Sequence, residues 1–442
     1  MKLRNLNNAT TLIESKDTKF LFDPWLKGDL YHGAWSVADN HARENNYFTS
    51  DITHVFISHI HQDHWDFDTL KEINSDPIIL IPKFGFNNVI KSKVESCGFK
   101  NIKMIDVGQS FEISQNIEGY IIPPLNGMAQ EIELYDSNNI SIAIDTGLVI
   151  KDSVSKTCHI LLGDNSPYDN NLLNQNLQIA GVKDVDSLWF NYNGFAQDYP
   201  LCYDNLTIKE KAKISLNMAL KGEKSLLKAI ELISPKCLIP HSSDFVLNGH
   251  KKDEFYQVHS NVFLDKIIYA SRIQKLTNIQ SYGLYAKDYI EWVEGEVVVS
   301  ISSDKVITPK GSSELNIPIT KNKQSLLGLL QEALPAMQLR CDKLQLPSHE
   351  FANWSLIIAT ENDSFLIDFS QWKVEKLNKG INKMSYENKL TLTLTTTVNI
   401  MKCILLRELH FNNCCIGCFF KWSRVPNVFN KYLFDSLNFL HI

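Results

Sequence analysis

The stretch Val55-Phe56-Ile57-Ser58-His59-Ile60-His61-Gln62-Asp63-His64-Trp65-Asp66 constrains the fold more than any other part of this 442-residue chain. Val55 to Ser58 is a short apolar, β-branched run that reads as a buried strand. It runs straight into His59, His61, Asp63 and His64. In an extended chain, side chains two apart point the same way, so His59 and His61 present two imidazoles to one side. That is half of a metal site. Asp63 and His64 fall where a helix would begin, because Trp65 to Ile73 carries helical apolar spacing at Trp65, Leu70 and Ile73. A carboxylate there is favoured by the exposed amides and the helix dipole, so Asp63 is expected to serve as both cap and ligand. Imidazole with carboxylate suits Zn²⁺, Fe²⁺ or Mn²⁺, whereas Ca²⁺ and Mg²⁺ prefer oxygen shells. With 13 histidines in the whole chain, three within six positions are not an accident of composition.

A His-x-His-x-Asp-His pattern after a hydrophobic strand resembles the metallo-β-lactamase superfamily, in which it supplies ligands to one or two metals at the edge of an αβ/βα sandwich. The resemblance implies an α/β domain over residues 1–300. Upstream, Ala9 to Ile13 and Lys19 to Phe22 read as a hairpin closing at Asp23-Pro24. Phe22-Asp23-Pro24-Trp25-Leu26, with Gly28, Tyr31, Gly33 and Trp35, is an aromatic-rich loop without strand or helix period. Its aromatics form either a satellite hydrophobic cluster or a wall of a substrate pocket, and Trp25 and Trp35 are the candidates for substrate contact. This loop, followed by the histidine motif, resembles the metallo-β-lactamase-like domain of CMP-N-acetylneuraminate hydroxylase and UDP-N-acetylmuramate hydroxylase relatives, over about residues 1 to 260. It is similar, more distantly, to the ascorbate-6-phosphate lactonase type.

Strands and helices then alternate, as in an α/β layer architecture. The resemblance implies a further histidine near the strand end Ile121-Ile122-Pro123-Pro124-Leu125-Asn126, yet no histidine lies between His64 and His159. Either Asn126 takes that place as a weak ligand or substrate contact, or the first metal is one ligand short. The superfamily's bridging aspartate stands at a strand end such as His159 to Asp164, which makes Asp164 the matching position and Asp145 the runner-up. His159, at the start of that strand, reads as structural or surface-lying. Ser187 to Phe190 leads into Asn191, Tyr192, Asn193 and Gly194, where Tyr192 and Asn193 are candidate substrate contacts and turn chemistry is the alternative. After Cys237-Leu238-Ile239-Pro240 stands His241, the histidine that the resemblance implies would complete a second metal with Asp63 and His64. His250 and His259 read as solvent-facing.

Residues 310–442 read as a smaller α+β accessory domain, in which Lys389 to Thr395 alternates as a half-buried strand does. Cys414, Cys415 and Cys418 lack a second Cys or His pair at zinc spacing and read as buried thiols. Nine cysteines at irregular spacing fit a reducing compartment, and cytoplasm is the expected location. A net charge of −6 gives no basic footprint for nucleic acid, and no apolar run suggests a membrane span. There is no Cys-x-His with a downstream Cys-x-x-His for a Rieske cluster, no haem-attachment motif, and no Walker A or Rossmann fingerprint for a nucleotide cofactor.

Three functions remain. The first is a hydrolase in which one or two divalent metals on His59, His61, Asp63, His64, Asp164 and His241 activate water against a small polar metabolite, with Asp63 as a proton shuttle. The second is an iron-dependent monooxygenase of a nucleotide sugar or small metabolite, supplied by an external electron-transfer protein. The third is a binding protein with a decayed site. Oxidation needs an additional electron donor, so the sequence ranks hydrolysis first.

Overall fold

The computed structural model describes residues 1–442 apart from 40, 42–46, 48–50, 84–87, 126–144, 195–197, 294, 304–313 and 378–389. Lys2–Asn7, Thr10–Ser15 and Thr18–Phe22 form an antiparallel meander, one strand longer than the hairpin expected. Thr18–Phe22 pairs in parallel with His54–Phe56, and Ile78–Lys83 and Ile102–Asp106 continue in parallel beyond it. Tyr289–Val293 and Glu296–Ser300 close the other edge of this eight-stranded sheet. The second, seven-stranded sheet runs from Ser110–Ser114 through Ile117–Ile122, Gly147–Asp152 and Thr157–Leu161 as antiparallel neighbours. It then continues in parallel through Ser187–Phe190, Cys237–Pro240 and Gln280–Ser281.

Period-two alternation sorts the side chains into layers. Phe20, Phe22, Phe56 and Leu80 face Ile121, Leu148, Leu161, Trp189 and Ile239 between the sheets. Their neighbours Leu21, Val55 and Ile79 turn outward onto Leu70 and Val94. On the far side Ile160, Leu188 and Leu238 pack on the helices Asn170–Ile179, Ile208–Ile233 and Lys266–Thr277. Helix, sheet, sheet and helix in that order make the αβ/βα sandwich. No helix among the described residues is long and apolar enough to cross a membrane.

Beyond the sandwich, a five-stranded sheet is ordered Lys373–Leu377, Ser364–Asp368, Trp354–Ala359, Leu390–Thr395, Lys421–Val425. It packs with the helices Leu326–Lys343 and Val398–Leu405. The core of this α+β unit is continuous with the sandwich: Leu329, Leu330, Leu392 and Phe419 share one hydrophobic cluster with Trp25, Leu30, Tyr31, Ala34 and Phe245. The expected linker at 310–313 lies outside the described residues.

Candidate metal centre

Strand direction gathers the chemistry at one edge. His54–Phe56, Thr157–Leu161, Ser187–Phe190 and Cys237–Pro240 lead at their carboxyl ends into His59, Asp164, Asn191 and His241. This is the end of a parallel sheet at which ligands bind. Gly147–Asp152 is antiparallel to Thr157–Leu161, so Asp145, which precedes it, arrives at the same edge. Asn8, in the turn before Thr10–Ser15, and Asp23, after Thr18–Phe22, reach it by the same logic.

His59 Nε2 and His61 Nδ1 meet at 2.9 Å, and Asp145 Oδ1 lies 3.4 Å from His59 Nε2. The Ser58 hydroxyl donates to Asp23 Oδ2 at 2.7 Å, so it accepts from His59 Nδ1 at 2.9 Å. That fixes the His59 tautomer with its Nε2 lone pair aimed at the site. Burial, assisted by the nearby His64 and His61, holds His59 well below the usual imidazole range, in its ligating form. His59, His61 and Asp145 form one group of donor atoms within 4.8 Å of one another; His59, His64 and Asp164 form a second.

His64 sits among carboxylates. Its Nδ1 donates to Asp23 Oδ2 at 2.7 Å, and its Nε2 lies 3.2 Å from Asp164 Oδ2 and 3.3 Å from Asp63 Oδ2. Burial works to discharge it, yet Asp164, Asp63 and Asp23 outweigh burial and keep it protonated well above the usual range. Asp145 is pushed up to about 8, first by burial and then by the Asp164 charge. Three carboxylates around one imidazolium, with Asp145 beside them held back from ionising, are a surplus of negative charge that a bound cation would relieve. The donor set, imidazole and carboxylate together, fits a transition metal.

Asp63 is held on both sides. Tyr31 donates its hydroxyl to Oδ1 at 2.6 Å, and Asn8 Nδ2 donates to Oδ2 at 3.1 Å. Asp63 falls within a single 3-10 turn, Gln62–His64, and does not cap the following helix. Asp66 does so instead, accepting from Asp68 N and Thr69 N ahead of Phe67–Lys71. Asp164 accepts from Asn191 Nδ2 at 2.8 Å and from the Ser242 hydroxyl.

The other expected residues are placed as follows. His241 is fully buried, with Nδ1 3.4 Å from the Thr11 hydroxyl and Nε2 without a hydrogen-bond partner. Burial, joined by the Lys266 charge, lowers it to about 3, so it is a neutral imidazole near Asp164 and His64 but in neither donor group. Trp25 is fully buried and its Nε1 donates to the Gly28 carbonyl at 2.9 Å; it belongs to the hydrophobic cluster. Trp35 stacks flat on Phe245 at 3.7 Å. Asn193 is buried and clamps Leu264 through two hydrogen bonds of 3.0 Å. These three have spent their polar or aromatic faces on packing. Tyr192 bonds to Asp244 and lines a cleft with Asn191, Asn165 and Tyr269. Asn126 lies outside the described residues. His159 and His259 are buried, bonded to Ser187 and Ser215 at 2.7 Å each, whereas His250 is exposed. Asp23, Tyr31, Asn8, Ser58 and Ser242 touch the candidate ligands without having been marked by the motif.

Known proteins share parts of this chain. No family model matches it. It is 26% identical over 205 residues to a protein of Mycolicibacterium smegmatis named as a Rieske 2Fe-2S iron–sulfur protein, covering 46% of this chain and only 36% of that relative's length. It is 23% identical over 173 residues to a metal-dependent hydrolase of Alkaliphilus metalliredigens, covering 35% of this chain and 70% of the relative. The crystal structure of CmlA, a diiron β-hydroxylase from Streptomyces venezuelae, superimposes with a TM-score of 0.43 at 14% identity, over 68% of this chain and 54% of that one. Two facing sheets with helices outside, and a His-x-His-x-Asp-His motif opening onto their shared edge, give the chain a metallo-β-lactamase-like αβ/βα sandwich.

Proposed function

We propose that this chain is an iron-dependent monooxygenase of a small polar metabolite. The supporting observation is Asp145, which stands beside His59 and His61 and forms one donor group with them. Two imidazoles and one carboxylate with open positions are the donor set of non-haem iron oxygenases. The same two imidazoles and carboxylate also hold water-activating zinc, so the identity of the bound metal separates the two readings. A bound metal would supply O₂ activation in this reading.

The protein's own contribution is orientation. Ser58 and Asp23 set the His59 tautomer and the His64 ring, and Asn191 and Ser242 fix Asp164. Asp63, with both oxygens engaged by Tyr31 and Asn8, acts as a positioned ligand more readily than as a free proton shuttle. Hydroxylation converts C–H and O₂, with two electrons and two protons, to C–OH and water. These 442 residues hold no Rieske pattern, so the electrons are assigned to an iron–sulfur carrier outside them. The name of the Mycolicibacterium relative supports pairing this fold with such a carrier.

Hydrolysis through a metal-bound water is the second reading, favoured by the likeness to the Alkaliphilus metal-dependent hydrolase. Elemental analysis of protein purified without added metal, followed by O₂ uptake with a reductant and by ester, lactone and phosphodiester panels, separates the two. Iron with O₂ uptake is expected. Zinc with hydrolysis would install the second reading, and absence of any metal after reconstitution would leave a binding protein.

A further inference from the structure

We infer that the carboxy-terminal unit is a working part of the metal centre: it clamps a left-handed turn at Tyr31-His32-Gly33 that sets the Tyr31 hydroxyl on Asp63. Tyr31 is thereby a positioning residue for the Asp63–His64 half of the site. This rests on the reading of Asp63 as a metal ligand.

The turn is unusual in its backbone. Tyr31, His32 and Gly33 have φ of 50°, 57° and 90°, and two consecutive non-glycine residues in this region persist only where the surroundings impose them. Those surroundings come largely from outside the loop. Asn316 N donates to the His32 carbonyl at 2.7 Å, and the His32 ring lies 6.3 Å from that of Phe419. A Cβ on Gly33 would stand 3.3 Å from Asn316 N, and one on Gly417 would stand 3.2 Å from the Ala34 Cβ. The carboxy-terminal segments therefore press directly on the turn. From the sandwich side, Asn248 donates to the carbonyls of Gly33 and Ala34 at 2.7 Å each, and Gln62 Oε1 accepts from Tyr31 N at 3.0 Å.

Tyr31 is buried in the shared hydrophobic cluster with its ring edge on Trp35, 5.2 Å between centroids. Its hydroxyl emerges from that cluster onto Asp63 Oδ1 at 2.6 Å. Ring and hydroxyl are thus fixed by different neighbours, and the backbone is held from both sides, by Gln62 and Asn248 of the sandwich and by Asn316 of the carboxy-terminal unit.

Cobalt(II) titration of the metal-free full chain, read by visible absorption, tests this. The wild type is expected to bind two cobalt ions with distinguishable spectra. Tyr31→Phe should keep the His59–His61–Asp145 ion and weaken the other about tenfold or more, as loss of a ligand's supporting hydrogen bond does. Phe419→Ala, in the carboxy-terminal unit and touching no ligand, should reproduce that selective loss; Asn316→Pro, which removes the amide that holds the His32 carbonyl, tests the same clamp should Phe419→Ala fail to fold. Folded variants that bind both ions as the wild type does overturn the inference. A wild type that binds no cobalt overturns the metal reading, and the inference with it.

Discussion

Asp23 and His64, forty-one positions apart, are both fully buried and joined by a 2.7 Å hydrogen bond from His64 Nδ1 to Asp23 Oδ2. The same carboxylate takes the Ser58 amide and hydroxyl at 2.7 Å each, and Ser58 in turn orients His59. One aspartate therefore sets two of the candidate ligands, one in each half of the site. A carboxylate behind a ligating histidine raises its basicity and fixes its ring.

Asp23→Asn is accordingly predicted to weaken metal binding about 10- to 100-fold while leaving the fold intact. Competition against a chelator of known affinity measures the change. Wild-type affinity in the variant would show that Asp23 is a packing residue only.

Asp145→His tests metal choice. A third imidazole should bring zinc affinity to the wild-type level or above and cut iron-dependent O₂ uptake about tenfold or more. Undiminished O₂ uptake would mean that Asp145 does not select the metal.

The site was legible where local pattern and topology agree. His59 and His61 follow the strand His54–Phe56 at its carboxyl end, although the strand stops before them and bends, not alternation, bring the rings together, and Asp164 follows a strand that runs to the same edge. Asp145 and Asp164 both end apolar runs, and only the antiparallel turn of Gly147–Asp152 shows that both arrive. The supporting groups left no such trace. Asn8, Asp23, Tyr31 and Ser242, each bonded to a candidate ligand, have φ of 45°, 46°, 50° and 73°. Such backbone costs on the order of 1 kcal/mol or more per residue and is imposed by tertiary contacts, which composition does not announce. The roles of Trp25 and Asn193 were open for the opposite reason, since an aromatic or amide near a site reads alike whether it lines a cavity or fills a core. Of the fold, the sandwich strands were visible as apolar runs; the core shared with residues beyond 310 was not, because it joins segments far apart in sequence.

His159 gives a pH dependence independent of the metal. Burial against Trp292, 4.3 Å between ring centroids, lowers it to about 3 despite Asp186 nearby, from about 6.5 when exposed in the unfolded chain. The folded state thus resists protonation and the unfolded state accepts it. Its stabilising contribution is complete above about pH 6.5 and falls by up to ~1.4 kcal/mol per pH unit as the pH drops towards 3. His159→Asn should flatten the acid limb of stability by about one proton, measured by urea unfolding from pH 4 to 7. Parallel limbs in variant and wild type would show that His159 charges freely in the folded state.

The shared cluster makes a last prediction about how the chain holds together. Leu330, on the helix Leu326–Lys343, is fully buried in the same cluster as Trp25 and Tyr31. Truncating a core leucine costs roughly 2–5 kcal/mol through lost burial and the cavity left behind. If the sandwich and the carboxy-terminal unit were separate folding units, that loss would fall on the second alone, and melting would split into two steps with the metal retained through the first. A continuous core instead passes the loss to both, because unfolding either side exposes the apolar surface of the other. Leu330→Ala is therefore expected to lower a single unfolding transition and to release bound metal at the same lowered temperature. Calorimetry with a metal-release dye reads both events, and a metal-release temperature unchanged from wild type would establish two independent units.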